Sequence, residues 1–256
     1  MRNQLVYDLP TRLFHWIFAG LFVGSFFIGK TVDDDSPLFS YHMLLGFTLA
    51  FLTLLRIVWG FVGTRYARFS EFPLNPGKLV KYFSDLVTAR SERNLGHNPA
   101  SSWAAIAMML LALGLAVTGY LMSTGDKEAY EDIHELFANG FLIIAILHVV
   151  GVVVHTLKHK DMIGLSMIDG KKQEVSGENP IESARPVVGL VLLALVAGFW
   201  INLMKNYDSQ TQTLNFFGTS LQLGENESEE HEGFNSKESN KDYAGEKDDD
   251  DDDDND

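Results

Sequence analysis

The stretch of sequence that decides the fold reads IHELFANGFLIIAILHVVGVVVH and runs from Ile133 to His155. It is almost wholly apolar, yet it carries His134, His148 and His155. An ionisable side chain at membrane depth is costly and is usually functional. A helix turns by about 100° and rises about 1.5 Å per residue, so His134 and His148 lie on nearly the same face, roughly 21 Å apart along the axis. The stretch therefore predicts a membrane helix that presents two imidazoles to one interior at two depths.

Four further apolar runs accompany this one, and each approaches or exceeds the ~20 residues that a helix needs to cross a bilayer. A soluble bundle with buried helices is the alternative, and five such runs argue against it. The first run is expected to stay as an anchor, because no small-x-small cleavage site follows it. We therefore predict an all-α integral membrane protein with a four-helix transmembrane bundle and a fifth transmembrane helix. The five runs cover residues 13–29, 39–62, 103–122, 133–157 and 187–204.

Charge is distributed unevenly along the chain. Residues 206–256 hold 17 acidic side chains and 3 lysines, which accounts for the whole net charge of −14. Lysine and arginine otherwise concentrate before the first run, between the second and third, and after the fourth. The positive-inside rule then places the N-terminus in the cytoplasm of a bacterium and the C-terminus in the periplasm. We expect residues 205–256 to form an acidic, largely disordered tail on the periplasmic side of the inner membrane.

The connection between the second and third runs contains a predicted amphipathic helix. Asn75 and Pro76 are typical of an N-cap followed by proline at the first helical position. Apolar residues then recur at helical spacing, with Lys78, Lys81 and Arg90 beside them. We expect a helix over about 76–90 that lies in the cytoplasmic membrane interface. A loop helix that covers the bundle is the alternative.

Two other histidines lie at depths that match those of His134 and His148. His15 lies near the inner end of the first span, and His42 lies at the outer end of the second. Because the fourth span runs from outside to inside, we pair His42 with His134 and His15 with His148. Each pair can hold the iron of one porphyrin, since imidazole is a common haem ligand and an apolar bundle suits the macrocycle. The chain has no cysteine, which excludes thiolate ligands and covalent c-type attachment.

Three further residues have an open role. Arg56 follows His42 by fourteen residues and shares its face, so it either pairs with a propionate of the inner haem or extends to the headgroups. His155 is the rival of His148 as a ligand. It also stands four residues before His159, a spacing that can hold a surface metal, although an interfacial position explains both histidines.

At these residues the chain resembles the bacterial di-haem cytochrome b family, which includes the membrane cytochrome b subunits of nickel–iron hydrogenases and relatives in formate dehydrogenases. The motifs that carry the resemblance are DLPTRLFHW, YHMLLGFTLAFLTLLRIVWGFVG, GHNPASSWAAIAMMLLALGLAVTGYLM, the opening stretch and SMIDGKK. The match covers residues 6–172, and we take 1–172 as the di-haem domain, 186–204 as the fifth helix and 205–256 as the tail. The family implies four core helices, two non-covalent bis-histidine b haems and electron transfer between a redox partner and the quinone pool or another carrier. By position, its haem ligands correspond to His15, His42, His134 and His148.

The predicted function is transmembrane electron transfer by a di-haem b-type cytochrome, acting as a subunit of a respiratory oxidoreductase. Nothing in the sequence forms a nucleophile–base pair or a phosphate loop. The alternatives are a histidine-based membrane metal or ion transporter and a haem-free membrane anchor. Besides lipid, the expected partner is a hydrogenase or dehydrogenase subunit or a periplasmic c-type cytochrome. The acidic tail either attracts that cytochrome or merely solvates the terminus. A quinone is expected near Arg65, Arg68 and His97, and no nucleic acid is expected.

Overall fold

Five long helices dominate the computed structural model, which describes residues 3–87, 95–125, 127–159, 163–174 and 178–224. Within these ranges five helices are long and apolar enough to cross a membrane, and they confirm the five predicted spans. Five successive spans put the start of α1 and the end of α7 at opposite ends of the helix bundle, which we name the N-terminal face and the C-terminal face. The helices are α1 (Leu9–Thr31), α2 (Ser40–Val62), α3 (Pro76–Val87), α4 (Pro99–Met122), α5 (Lys127–His159), α6 (Ser166–Asp169) and α7 (Pro186–Asn206); short 3-10 turns cover Arg65–Ala67, Phe69–Glu71 and Ile163–Leu165.

Local sequence explains where the first, third and fourth helices begin. The Asp8 carboxylate accepts a hydrogen bond from the Thr11 amide at 2.8 Å, and Asn98 accepts one from the Ser101 amide at 2.7 Å. Asn75 accepts from the amides of Gly77 and Lys78, as its predicted role as N-cap requires. A side-chain oxygen at this position satisfies an amide that has no partner within the helix. Each cap thus fixes the start of a helix on the N-terminal face.

The amphipathic helix between the second and third spans is α3. Residues 88–90 of the predicted range, including Arg90, lie outside the described residues. The side chains of Val80 and Phe83 are more than half exposed, so this part of the apolar face is not covered by the bundle. Of the two alternatives, exposure of the apolar face favours a position in the membrane interface.

An aromatic cluster occupies the centre of the bundle. The ring of Phe141 on α5 stacks on that of Phe22 with 3.8 Å between centroids, and the ring of Phe18 also stacks on it at 5.7 Å. Leu49 and Leu52 of α2 complete this part of the core. Phe141 stands seven residues from both His134 and His148. The cluster therefore separates the two histidine levels.

Two small sheets close the ends of the bundle, and the sequence did not predict either of them. On the N-terminal face, β1 (Asn3–Leu5) pairs antiparallel with β2 (Lys171–Gln173). On the C-terminal face, β3 (Tyr207–Asp208), β4 (Thr213–Phe216) and β5 (Thr219–Gln222) form an antiparallel sheet in that order.

The expectation of a largely disordered tail from residue 205 is wrong for the segment that holds the second sheet. Leu214 and Leu221 are fully buried there, together with Leu44 of α2 and Leu203 of α7. The burial of these leucines between two helices explains why so short a segment is ordered. Residues 225–256, which hold all but one of the acidic side chains of residues 206–256, lie outside the described residues.

Candidate functional site

The histidines nearest the C-terminal face are His42 on α2 and His134 on α5, which we call the C-side pair. Their ring centroids are 6.0 Å apart and their planes are inclined by 64°. A metal–nitrogen bond to imidazole is about 2.0–2.1 Å and a ring nitrogen lies about 1.1 Å from the ring centre, so two imidazoles on one metal have centroids roughly 6.3 Å apart. The separation of the C-side pair thus fits two axial ligands of one iron.

Hydrogen bonds fix the orientation of both C-side imidazoles. Nδ1 of His42 lies 2.8 Å from the carbonyl oxygen of Ser25, and since a carbonyl only accepts, Nδ1 carries the proton. Nδ1 of His134 lies 2.8 Å from the hydroxyl of Thr118. That hydroxyl donates to the carbonyl of Gly114 at 2.9 Å and so accepts from His134. Both rings therefore keep Nε2 as the free, basic ligand atom, an arrangement typical of metal-binding histidines.

A cleft lined in part by His42 and His134, with an internal volume of about 60 Å³ and partly open to the surface, lies at the C-side pair. The surface of this cleft is largely apolar, and several of the residues that line it are glycine or alanine. A Cβ at Gly29 would lie 2.7 Å from Nδ1 of His42, so glycine is required where α1 passes that ring. The small residues that leave this space are Gly46, Ala112, Ala116, Gly119 and Ala138.

The other two predicted ligands form the N-side pair, His15 on α1 and His148 on α5. The two side chains are close enough to interact electrostatically. The His15 ring packs edge-on against Trp16 at 5.0 Å, and its buried Nδ1 has no hydrogen-bond partner among the described residues. A buried polar atom without a partner is unusual, and a water molecule or a bound group would satisfy it. The shared ligation of one iron by this pair stays a prediction.

Arg56 is buried close to the N-terminal face, with only 4% of its surface exposed. One guanidinium nitrogen donates to the carbonyl of Ala67 at 3.0 Å, and the group lies 5.1 Å above the ring of Phe69. The other terminal nitrogen is buried and has no partner in the described part of the chain. Arg56 therefore does not extend to the headgroups, and its free N–H groups suit a carboxylate. That this carboxylate is a haem propionate stays a prediction.

The sequence did not identify Asp8 as a central residue of the N-terminal face. Its fully buried carboxylate accepts from Thr64 at 2.5 Å and from the Trp59 indole at 3.2 Å, in addition to capping α1. It also interacts electrostatically with Arg56. The motif DLP was recognised only as part of a resemblance, because its partners stand more than fifty residues away. Ser25 and Thr118 were not identified either, because each contacts a histidine that belongs to a neighbouring helix.

The residues expected near a quinone are not brought together. Arg65 and Arg68 are exposed, and Arg65 forms a 3.4 Å ion pair with Glu71. His97 instead packs between the rings of Tyr7 and Phe72, at 5.4 and 4.5 Å. Burial lowers the pKa of His97 to about 3, and the positive charge of Lys172 acts in the same direction. His97 is therefore a neutral imidazole at physiological pH.

His155 is buried, with 8% of its surface exposed, rather than lying in the interface as expected. It stands seven residues beyond His148, or roughly 10 Å further along α5. The side chain of His159 lies outside the described residues. Over the described ranges no three histidine or acidic side chains cluster as a metal site would require. The prediction that His148, and not its rival, is the ligand remains untested.

Comparison with known proteins decides the family. The model of the family described as prokaryotic cytochrome b561 matches residues 6–170. The chain belongs to the prokaryotic cytochrome b561 family. The predicted resemblance is thereby confirmed, and a b-type cytochrome binds haem within a multi-pass membrane bundle. The match ends before α7 and the sheet on the C-terminal face, so both lie outside the region that this cytochrome b561 shares with the family model.

Curated proteins that are similar to this chain are named as cytochrome subunits of hydrogenases. The Probable Ni/Fe-hydrogenase 1 B-type cytochrome subunit of Escherichia coli K12 is 26% identical, over 49% of this chain and 63% of the relative. The Probable Ni/Fe-hydrogenase B-type cytochrome subunit of Rhizobium leguminosarum bv. viciae is 27% identical, over 67% of this chain and 89% of the relative. The protein of that name from Azotobacter vinelandii is 29% identical, over 46% and 58%. The chain thus spans less than two thirds of the first and third relatives. No solved structure matches it.

Proposed function

We propose that this cytochrome b561 carries electrons across the membrane between two b haems, one held by His42 and His134 and the other by His15 and His148. The observation that carries the proposal is the C-side pair, whose 6.0 Å separation and anchored Nδ1 atoms suit two ligands of one iron. When bound, haem supplies the one-electron chemistry of its iron. The chain orients the imidazoles, excludes water with apolar walls and separates the two levels with the Phe18, Phe22 and Phe141 cluster.

The N-side residues fit the acidic edge of a haem. Arg56 and Lys172 supply positive charge, and the buried Arg56 nitrogen is free to donate to a propionate. A bidentate arginine–carboxylate contact is among the stronger pairs that a protein can form. We therefore assign Arg56 to the propionate of the N-side haem. In the orientation given by the basic loops, this haem lies towards the cytoplasm and the C-side haem towards the periplasm.

A quinone is the proposed acceptor or donor at the N-terminal face. His97 supports this proposal, because it is neutral and lies between two aromatic rings beside the N-side histidines. A neutral imidazole is able to accept or donate a hydrogen bond at a quinone carbonyl. Replacing His97 by glutamine is expected to weaken quinone reduction by the pre-reduced protein, whereas both haems remain bound.

The redox partner is proposed to be a hydrogenase or a related dehydrogenase subunit, which is the assembly that the names of the relatives indicate. A periplasmic c-type cytochrome attracted by the acidic residues of 225–256 is the second candidate, favoured by the concentration of negative charge there. Deletion of 225–256 distinguishes them. Loss of a fast, salt-sensitive reaction with a basic cytochrome supports the second candidate, and an unchanged rate at low salt contradicts it.

The experiment that tests the whole proposal is a haem assay on the purified full-length protein. Two non-covalent haems per chain, with α and Soret bands in the reduced-minus-oxidised spectrum, are expected. A colourless protein with bound metal would support a histidine-based ion transporter instead. A colourless protein without bound metal would support the haem-free membrane anchor.

A further inference from the structure

The turn between β4 and β5 ends in an aromatic residue that the rest of the protein does not cover. Phe217 and Gly218 form a two-residue turn, both with positive φ (48° and 86°). Turns of this kind favour Asn-Gly or Asp-Gly, and a bulky residue at positive φ is unfavourable. Phe217 is also 92% exposed. The Phe217 ring meets that of Phe216 edge-on at 4.6 Å between centroids, but this contact leaves nearly all of its surface uncovered, and the turn geometry does not favour phenylalanine at this position.

The depth of the turn in the bundle indicates what surrounds it. The neighbouring residue, Phe216, stacks on Phe47 of α2 with 5.4 Å between centroids, and its ring lies 6.5 Å from that of Phe199 of α7. Phe47 stands seven residues inside the start of α2, and Phe199 stands seven residues before the end of α7. At about 1.5 Å per residue, both rings lie roughly 10 Å inside the helix ends.

This depth lies within the lipid rather than above it. Helices of 23 and 21 residues, such as α2 and α7, are roughly 35 and 32 Å long, against ~30 Å of hydrocarbon. The ends of both helices therefore lie close to the edges of the hydrocarbon. A point roughly 10 Å inside them is at the depth of about 5–10 Å that interfacial apolar groups reach. Trp200, part of the same cluster, is of the residue type that is enriched at this level.

The sheet is polar at one end and apolar at the other. Its β3–β4 turn consists of Ser209, Gln210, Thr211 and Gln212, whereas the β4–β5 turn consists of Phe217 and Gly218 after Phe216. The polar end reaches towards the connection of α1 and α2, where the Gln212 amide donates to the carbonyl of Asp35 at 3.5 Å. The sheet is thus oriented with its β3–β4 turn towards water and its β4–β5 turn beside the membrane-spanning helices.

We propose that the β4–β5 hairpin is an interfacial membrane anchor, with Phe217 inserted among the lipids of the leaflet on the C-terminal face. The lipid gives the exposed ring the apolar surroundings that the protein does not provide, and removing its apolar surface from water is favourable. The anchor also holds the sheet in place over the bundle. The backbone amide of Gln222 donates to the carbonyl of Ser123 at 3.3 Å. The sheet therefore contacts the α4–α5 connection as well as the α1–α2 connection, on the C-terminal side of the C-side pair.

The absence of cysteine from the chain makes a direct test possible. Phe217→Cys and Ser209→Cys place one label at each turn of the same sheet. Each variant of the full-length protein is spin-labelled, reconstituted in nanodiscs and exposed to oxygen, which concentrates in lipid, or to a water-soluble nickel chelate. We expect the ratio of oxygen to nickel accessibility to be several-fold higher at 217 than at 209.

Two results would overturn the anchor. Equal water accessibility at both positions would show that the hairpin stands outside the lipid, and equal lipid accessibility would show that the sheet has no polar end in water. Unchanged melting temperatures of the labelled variants show that the sheet is folded during the measurement. The test does not depend on haem, so the anchor and the electron-transfer proposal stand or fall separately.

Discussion

The C-side and N-side histidine pairs resemble one another in sequence but differ in their surroundings. At the C-side, both imidazoles donate Nδ1–H to oxygen atoms of neighbouring helices, and the walls are apolar. At the N-side, His15 has a buried Nδ1 without a partner in the described ranges, and the Arg56 guanidinium lies 5.7 Å from the ring of Phe14, the residue before His15. Hydrogen bonds within the protein thus fix the orientation of both C-side imidazoles. The N-side pair instead combines a less firmly held imidazole, that of His15, with a positive charge.

This difference predicts different reduction potentials. A hydrogen bond donated by Nδ1 makes the imidazole a stronger base, which favours ferric iron and lowers the potential. A nearby positive charge favours the reduced haem, which carries one negative charge more, and so raises the potential. We therefore expect the lower potential at the C-side and the higher at the N-side. Electrons then flow downhill from the C-terminal face to the N-terminal face.

The largest expected effect comes from removing one ligand on each side. His134→Ala is expected to lose the C-side haem and His148→Ala the N-side haem, because each iron then keeps a single axial imidazole. The pyridine haemochrome assay checks this, with haem per chain falling from two to one in either variant. A fall to zero in both would show that the two sites do not fold independently.

Removing the buried positive charge tests the N-side half of the comparison. Arg56→Leu is expected to lower the N-side potential by roughly 60–120 mV, equivalent to a ten- to hundredfold change in a one-electron equilibrium. The C-side potential should stay unchanged in the same redox titration. Arg65→Leu is the matched control, since Arg65 is exposed and pairs with Glu71 at the surface of the same face. Equal shifts in the two variants would contradict a specific contact of Arg56.

Removing one hydrogen-bond acceptor tests the C-side half. Thr118→Val leaves Nδ1–H of His134 without its partner, so the C-side potential is expected to rise by roughly 20–60 mV, corresponding to the ~0.5–1.5 kcal/mol of a hydrogen bond. Thr53→Val is the matched control, because Thr53 is equally buried and its hydroxyl donates to the Leu49 carbonyl of its own helix. Thr118→Ser should restore the original potential. A C-side potential that stays constant in Thr118→Val would exclude this role.

The smallest effect is expected at His155. If His148 is the ligand, His155→Ala keeps two haems per chain and both potentials within a few millivolts. Loss of the N-side haem in this variant, but not in His148→Ala, would exchange the roles of the two histidines. The absorption spectrum and the redox titration of the two variants decide the question.

Much of the site followed from the sequence, since its determinants are periodic within single helices. Two residues spaced by fourteen, such as His134 and His148, lie on nearly the same face of any straight helix. The pairing of His42 with His134 followed from their similar depths in the membrane. The positions of Ser25, Thr118 and Asp8 could not be inferred, because their partners belong to other helices. The sheet on the C-terminal face was missed for a similar reason. Its strands are two to four residues long, and the burial of Leu214 and Leu221 against α2 and α7 stabilises them.

The sharing of one iron by His42 and His134 is tested most directly by low-temperature electron paramagnetic resonance of the oxidised protein. Two bis-histidine haems should give two low-spin ferric signals. His42→Ala and His134→Ala should each remove the same signal, and His15→Ala should remove the other. Removal of different signals by His42→Ala and His134→Ala would contradict the pairing, and with it the assignment of one haem to each end of the bundle.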